Sequence, residues 1–534
     1  MSARKTSARN FRSRVFGTAL LSLCLASASL GAKAETVVTA VMHAPLRALD
    51  PVISTAYILR NYGYMVYDTL LARDVDGAVR PQMAEWTVSD DGKTYTFTLR
   101  DNLKWHDGTP VTAEDAVASI GRWSKADKLG QVMASLLTET KVVDAKSFTM
   151  TFSDPSEVVL TALSKPSGVP PFILPKAVAE TPLGQPIAST IGSGPFRFVA
   201  AEYKPGVQAV FEKNADYVPR AEPPNGLAGG KTVKVDKVVW TTMPDSMTAV
   251  NALLSGEIDF LEQMPHDLLP LVEGNPDLEM AVYKKQGNQN LARLNFVQPP
   301  FDNPKIRKAA LLALGQQPLL DAQVGAGSSY GQTCPAVFGC GSLYASDYGA
   351  DESVTPQPEA AKKLLAEAGY DGKPILLMHA TDLLNLAPMG PVFAQQLRDA
   401  GFKVEMVSMD WASVVARRTS RAPVAQGGWN VFSTTNVLPD VGDPLGFIGV
   451  AAGGDSAWFG WPSVPEIEAA RARLARTGDA EEAKAIGREI HKLTIDNVVM
   501  IPMGEFYNVT VKSKKLGGQL DAEAPVFWNI TKAE

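Results

Sequence analysis

The stretch 358–408, PEAAKKLLAEAGYDGKPILLMHATDLLNLAPMGPVFAQQLRDAGFKVEMVS, decides the fold. Residues 358–368 have helical periodicity, begin on a proline and are closed by Gly369; the apolar run 374–380 follows. The pattern repeats as 388–400, Gly401 and 403–408. Proline at the first helical position and glycine after the last mark where each helix starts and stops. Helix, glycine and strand at this spacing predict a parallel sheet with right-handed crossovers, an α/β arrangement. In such sheets ligands gather at the carboxyl ends of strands. That points to Ala380-Thr381-Asp382, to Ser408-Met409-Asp410, and to the loop after the next short strand, 429–432.

This loop belongs to the segment 428–444, GWNVFSTTNVLPDVGDP. Ser433, Thr434, Thr435 and Asn436 carry hydrogen-bonding groups that would cost about 1–3 kcal/mol each if buried unpaired. Pro439 and Pro444 bracket Asp440 and Asp443 and restrict the backbone on either side. Two readings stand, a binding loop and a polar surface turn with a capping acid.

Working outward, residues 36–42 read as a strand and Asp50-Pro51 as a turn. Residues 54–71 read as a helix whose tyrosines do not share one face, so Tyr57 at its start is set down as a ligand contact, with ordinary packing as the alternative. Residues 86–99 spell a hairpin around Asp90-Asp91-Gly92, and Thr112 to Asp115 a capping box opening a helix over 116–123. His106 beside Asp107 shapes a turn. Strand-like runs follow at 141–153, a proline-rich connector at 165–176, the turn Gly192-Ser193-Gly194-Pro195-Phe196 and a strand at 207–213. The tail gives helices at 466–476 and 480–496 and strands at 498–503 and 507–511.

Residues 1–34 have the form of a secretion signal: basic residues from Arg4 to Arg14, the apolar run 15–30, and Ala32-Lys33-Ala34 as a cleavage site. Six of the 51 Lys and Arg lie in it and no acids, so 45 bases face 57 acids in the mature chain, a formal charge of −12. A nucleic-acid partner is not expected of so acidic a chain. About 500 mature residues exceed one core and call for two or three lobes. In an oxidising compartment Cys334 and Cys340 are near enough in sequence to close a small disulfide loop.

Enzyme chemistry finds little footing. Gly327-Ser328-Ser329-Tyr330-Gly331 fits G-x-S-x-G, but a nucleophile elbow needs a strand before the serine and a helix after it. A periplasmic serine hydrolase built on Ser329 is therefore the rival reading. The five histidines show no ligand spacing and no dinucleotide or phosphate loop occurs, so no catalytic residue, metal or cofactor is assigned.

Several pieces together resemble the large periplasmic solute-binding proteins of peptide and nickel ABC importers, the dipeptide- and oligopeptide-binding family. They are LDP at Leu49, AEWTVSDDGKTYTFTLRDNLKWHDGTPVTAEDAV at Ala84, GSGPF at Gly192, FEKNADY at Phe211 and SGEIDF at Ser255. LNFVQPPFDNPKIRKAALLAL at Leu294, AKKLLAEAGY at Ala361 and DVGDP at Asp440 continue the series in the family's order.

The resemblance implies a two-lobed α/β periplasmic binding protein fold with mixed sheets, a hinge, and an extra domain inserted in the first lobe. It places the first lobe at 35–79, 189–282 and 507–534, the extra domain at 80–188 and the second lobe at 283–506. It implies a monomer that captures a short or modified peptide between its lobes and delivers it to the transmembrane permease subunits of an ABC importer. A nickel chelate or an oligosaccharide is the alternative solute. By resemblance Asp440 stands where relatives pair an aspartate with the ligand's amino terminus. The arginine with which dipeptide binders hold the ligand carboxylate is missing, since Ala380-Thr381-Asp382 occupies its place. Arg293 is set down as a substitute anion partner or an interlobe salt bridge. Asn436 and the indoles of Trp429 and Trp458 complete the expected site, with Trp458 and Trp461 alternatively packing under the following helix.

Overall fold

The computed structural model describes residues 35–533 apart from 157, 188, 284–286 and 478, so the leading segment 1–34 lies outside the described residues. The β-branched run after Glu35 becomes the strand Val37–Val41, which lies parallel to Lys237–Thr241 and to Phe260–Met264. It sits in a seven-stranded sheet ordered Phe196–Phe198, Gln208–Lys213, Lys237–Thr241, Val37–Val41, Phe260–Met264, Val509–Ser513 and Leu278–Ala281. Phe211, Trp240, Phe260 and Phe527 form a buried aromatic core against it.

The second large sheet is ordered Gly331–Gln332, Ile501–Phe506, Asn288–Leu294, Val431–Val437, Ile375–Ala380 and Val404–Met409. Ile375–Ala380 is parallel to both of its neighbours, the arrangement expected from the 358–408 repeat; the helix Pro358–Glu367 leads into it and the helix Met389–Asp399 connects it to Val404–Met409. The other pairings are antiparallel, so the sheet is mixed. The chain passes from the first sheet to the second after Leu278–Ala281 and returns between Ile501–Phe506 and Val509–Ser513.

A four-stranded antiparallel sheet joins Ala84–Val88, Thr94–Leu99, Ser147–Phe152 and Leu137–Val142. Its buried face stacks Phe97 on Phe148 at 5.1 Å, in one apolar cluster with Ile120 and Trp123 of the helix Ala113–Ala126. Thr112 and Asp115 cap that helix reciprocally, as their spacing predicts. Cys334 and Cys340 are joined in a disulfide.

Two local expectations are corrected. The helix expected over 54–71 is only Tyr57–Val66, and the chain then runs extended through Asp68–Thr69, paired with Phe172–Ile173. Asp68 must reach the fully buried Lys231 at 2.7 Å and the Tyr217 hydroxyl at 2.8 Å, and that tertiary demand overrides helical continuation. The short strand expected at 429–432 is Val431–Val437, so the run of hydroxyl and amide side chains lies on a central strand rather than in a loop. Its β-branched residues suit a strand held on both edges.

The GSGPF turn fixes the helix that begins at Tyr57. Gly194 N–H donates to the Val66 carbonyl at 2.9 Å, and a Cβ on Gly192 would stand 1.9 Å from the same oxygen. His106 binds the turn from the other side, its Nδ1 accepting from Gly192 N–H at 3.2 Å and its Nε2 donating to the Gly194 carbonyl at 3.1 Å. Burial holds this imidazole neutral, its pKa lowered to about 4. Because Gly192 has no room for a methyl group, Gly192→Ala should lower unfolding free energy by roughly 1–3 kcal/mol in urea titration. A wild-type midpoint would show that the turn moves freely away from the helix.

Candidate functional site

A cavity of about 390 Å³ is walled on one side by the segment after strand Val37–Val41, including His43, Ile53 and Tyr57, and on another by Lys165 and Gly168. The second sheet supplies Asn288, Thr434, Thr435 and Asn436; Asp440, Trp411, Arg418 and Trp458 complete the wall. The volume is in the range of small-molecule sites, roughly 300–1,000 Å³.

Asp440 sits in the short helix Leu438–Val441, which Pro439 opens directly after the strand Val431–Val437. The Tyr57 hydroxyl donates to its Oδ2 at 3.0 Å and accepts from Val437 N–H at 2.9 Å. Ser167 donates to the same Oδ2 at 3.2 Å and accepts from Arg60 Nη1 at 2.6 Å. Oδ1 is buried and has no hydrogen-bond partner among the described residues. It lies beside Gly168, where a Cβ would stand 3.3 Å from Oδ1 and 3.4 Å from Lys165 Nζ. Burial pushes the Asp440 carboxyl above the ordinary carboxylate value, against the pull of Lys165, Arg60, Tyr57 and Ser167. Lys165 is paired with Asp127, and its ammonium stays charged because Asp127, Asp440 and Asp443 outweigh its burial. The other acid of the motif, Asp443, accepts from Leu445 N–H at 2.9 Å and shapes the turn.

Asn436 lines the cavity, and its carboxamide Nδ2 is buried without a partner among the described residues. Trp458 also lines the cavity, with its ring 5.7 Å from Phe432. The rim acids are engaged elsewhere. Asp382 accepts from Trp411 N–H at 2.7 Å, and Asp410 caps the helix Trp411–Arg417 through Ser413.

Tyr57, Asn436, Asp440 and Trp458 are thus brought together, and two expected residues are not. Trp429 is fully buried beneath the wall; its indole N–H donates to the Arg418 carbonyl at 3.1 Å and its ring packs on Phe432 and Trp461. Arg293 is fully buried in the strand Asn288–Leu294, outside the cavity lining. It donates to the carbonyls of Phe459, Gly449, Val499 and Trp458 at 2.6–3.3 Å. It makes no ion pair among the described residues, and burial lowers its pKa to about 9. Its donors are therefore occupied by backbone, which leaves it neither an anion partner nor an interlobe salt bridge.

The sequence reading missed Lys165 and Ser167, passed over as part of a proline-rich connector, and Arg418, one of two arginines closing a helix. The signal for the first pair was a lysine and a serine just before glycine in a stretch otherwise short of polar groups. Ser329 is exposed, follows the helix Gln316–Val324 and precedes the two-residue strand Gly331–Gln332, the reverse of a nucleophile elbow's setting.

Residues 78–458 match the family model for bacterial extracellular solute-binding proteins, family 5. A probable peptide ABC transporter periplasmic-binding protein of Sinorhizobium fredii is 39% identical over 492 residues, 91% of this chain and 92% of that protein. A periplasmic binding protein of A. tumefaciens R10, solved in complex with agropinic acid, superposes with a TM-score of 0.79 at 22% identity, covering 93% of this chain and 99% of the other. A dipeptide-binding protein of Pseudoalteromonas sp. SM9913, solved with Met-Leu, gives 0.77 at 19% identity, covering 93% and 100%. The fold is the mixed α/β fold of periplasmic binding proteins. The chain belongs to family 5 of the bacterial extracellular solute-binding proteins. It is a periplasmic, non-enzymatic solute-binding component of an ABC transporter. Among the described residues no helix is long and apolar enough to cross a membrane.

Replacing Arg293 with methionine leaves four carbonyls without their donor, two of them in fully buried bonds, and Arg293→Met should lower unfolding free energy by about 3 kcal/mol or more. Chemical denaturation measures this directly; a loss below about 1 kcal/mol would mean that water or repacking satisfies those carbonyls.

Proposed function

We propose that the protein captures a small solute carrying an ammonium group, a short or modified peptide, and presents it to the membrane subunits of an ABC importer. The observation that carries this reading is the buried Asp440 Oδ1, left without a partner beside a cavity of about 390 Å³. A buried ionised oxygen is costly unless a donor reaches it, and an ammonium in a water-poor site makes a strong charge-assisted bond. Asn436 adds an amide N–H pair suited to a peptide carbonyl, while Trp458, Phe447 and Ile448 give apolar surface that tolerates different side chains.

The peptide named for the 39% identical relative and the Met-Leu in the structural neighbour support this solute class. The agropinic acid neighbour keeps other small acids within the set to be tried. Tyr57 and Ser167, from the first half of the chain, bond to Asp440 and Val437 in the second, so solute capture and closure of the two halves converge on one carboxylate.

Asp440→Asn should weaken binding of a free dipeptide by more than roughly tenfold in calorimetry, the loss of one charge-assisted bond. Because folding raises the Asp440 pKa, its ionised form opposes folding. That cost is absent below the ordinary carboxylate pKa and complete once pH exceeds the raised value. At pH 7 the variant without solute should therefore melt no lower than wild type. Unchanged dipeptide affinity would remove Asp440 from the role.

A further inference from the structure

Among the described residues, one buried charged side chain of the cavity has neither a hydrogen bond nor an ion pair. Arg418 caps the helix Trp411–Arg417, is only 6% exposed and lines the cavity. Its guanidinium carbon lies 5.5 Å from the Trp411 ring, 5.5 Å from Trp458 and 4.9 Å from Phe459. Among the described residues its guanidinium makes no hydrogen bond and no ion pair, and Nε is buried without a partner. The nearby rim acids do not neutralise it: Asp382 and Asp410 accept from the backbone of residues 411 and 413. Lys165 is paired with Asp127. Burial alone lowers the Arg418 pKa, to about 10, and the side chain stays cationic at neutral pH.

Aromatic faces stabilise a guanidinium but leave its in-plane N–H donors unused. A buried cation with idle donors facing a cavity is costly unless an anion enters, and a planar carboxylate matches its fork. Arg293, by contrast, is equally buried and has four carbonyls for its donors. The difference marks Arg418 as a group awaiting an external partner.

We propose that Arg418 is the anion partner of the solute, binding a carboxylate so that the cavity selects molecules carrying both an ammonium and a carboxylate. This rests on the reading of Asp440 given above and narrows it from amines to zwitterions. It also supplies the function of the arginine missing after strand Ile375–Ala380, from a different element.

The test uses the full mature protein and calorimetry with four probes: Ala-Phe, its C-terminal amide, N-acetyl-Ala-Phe, and N-acetyl-Ala-Phe amide. Wild type should bind Ala-Phe more tightly than its amide by roughly tenfold to a hundredfold. Arg418→Met should lose that discrimination, with Arg418→Lys intermediate because it keeps charge but not the fork. Arg47, an exposed cation of the rim, is the control, and Arg47→Ala should retain discrimination. Melting curves of the solute-free variants establish that each is folded. Discrimination that survives in Arg418→Met, or disappears in Arg47→Ala, overturns the assignment while leaving the Asp440 reading standing. Acid-over-amide preference dependent on Arg418, but no loss on N-acetylation, would keep the assignment and overturn the ammonium reading. Binding of none of the four probes would overturn both.

Discussion

The site depends on a single buried carboxylate that the fold only half satisfies. Tyr57 and Ser167 both donate to Asp440 Oδ2, while Oδ1 has no partner among the described residues. The donors come from the first half of the chain and the carboxylate from the second, so the same bonds that hold the acid also tie the two halves together. Removing a carboxylate from water costs several kcal/mol, and two hydroxyl donors plus the fields of Arg60 and Lys165 offset only part of it. The remainder is available to whatever donor enters the cavity. One oxygen of this carboxylate thus ties the two halves of the chain together while the other faces an open demand for a donor.

The surroundings of Asp440 are arranged so that the acid stays in place. The GSGPF turn and His106 lock the end of the helix that starts at Tyr57. Asp443 and Pro439 fix the turn and the short helix around the carboxylate. Arg293 joins the strand Asn288–Leu294 to the backbone around Trp458, which stabilises one wall without entering it. Charges that would compete are neutralised locally, as with Lys165 by Asp127. Among the buried charges described, Arg418 is the exception, and its aromatic surroundings hold it in position without occupying its donors.

Much of this was legible in the sequence where the signal was local. Helix, glycine and strand over 358–408 gave the parallel strands because each element is bounded by its own proline and glycine. The Thr112 to Asp115 box and the hairpin at Asp90-Asp91-Gly92 read equally well. The polar run at 433–436 misled, because hydroxyl groups on a central strand look like a loop until the cavity they face is known. The early end of the helix at Val66 was set by Lys231, more than 160 positions away, and no periodicity reports that. Arg293 and Arg418 are alike in sequence terms. Only the presence of four carbonyls around one, and of three rings around the other, separates a structural arginine from a free one.

The most direct measurement is calorimetric titration of the protein with a zwitterionic dipeptide, over a pH series from the ordinary carboxylate range to neutrality, in buffers of different ionisation enthalpy. Because burial raises its pKa, solute-free Asp440 keeps its proton to higher pH than an ordinary carboxylate, and an ammonium on Oδ1 would drive the carboxyl to its ionised form. Net proton release on binding is expected, shrinking as pH passes the raised value and absent in Asp440→Asn. Binding with no proton release at any pH of the series, or release that persists in Asp440→Asn, would contradict this role of Asp440.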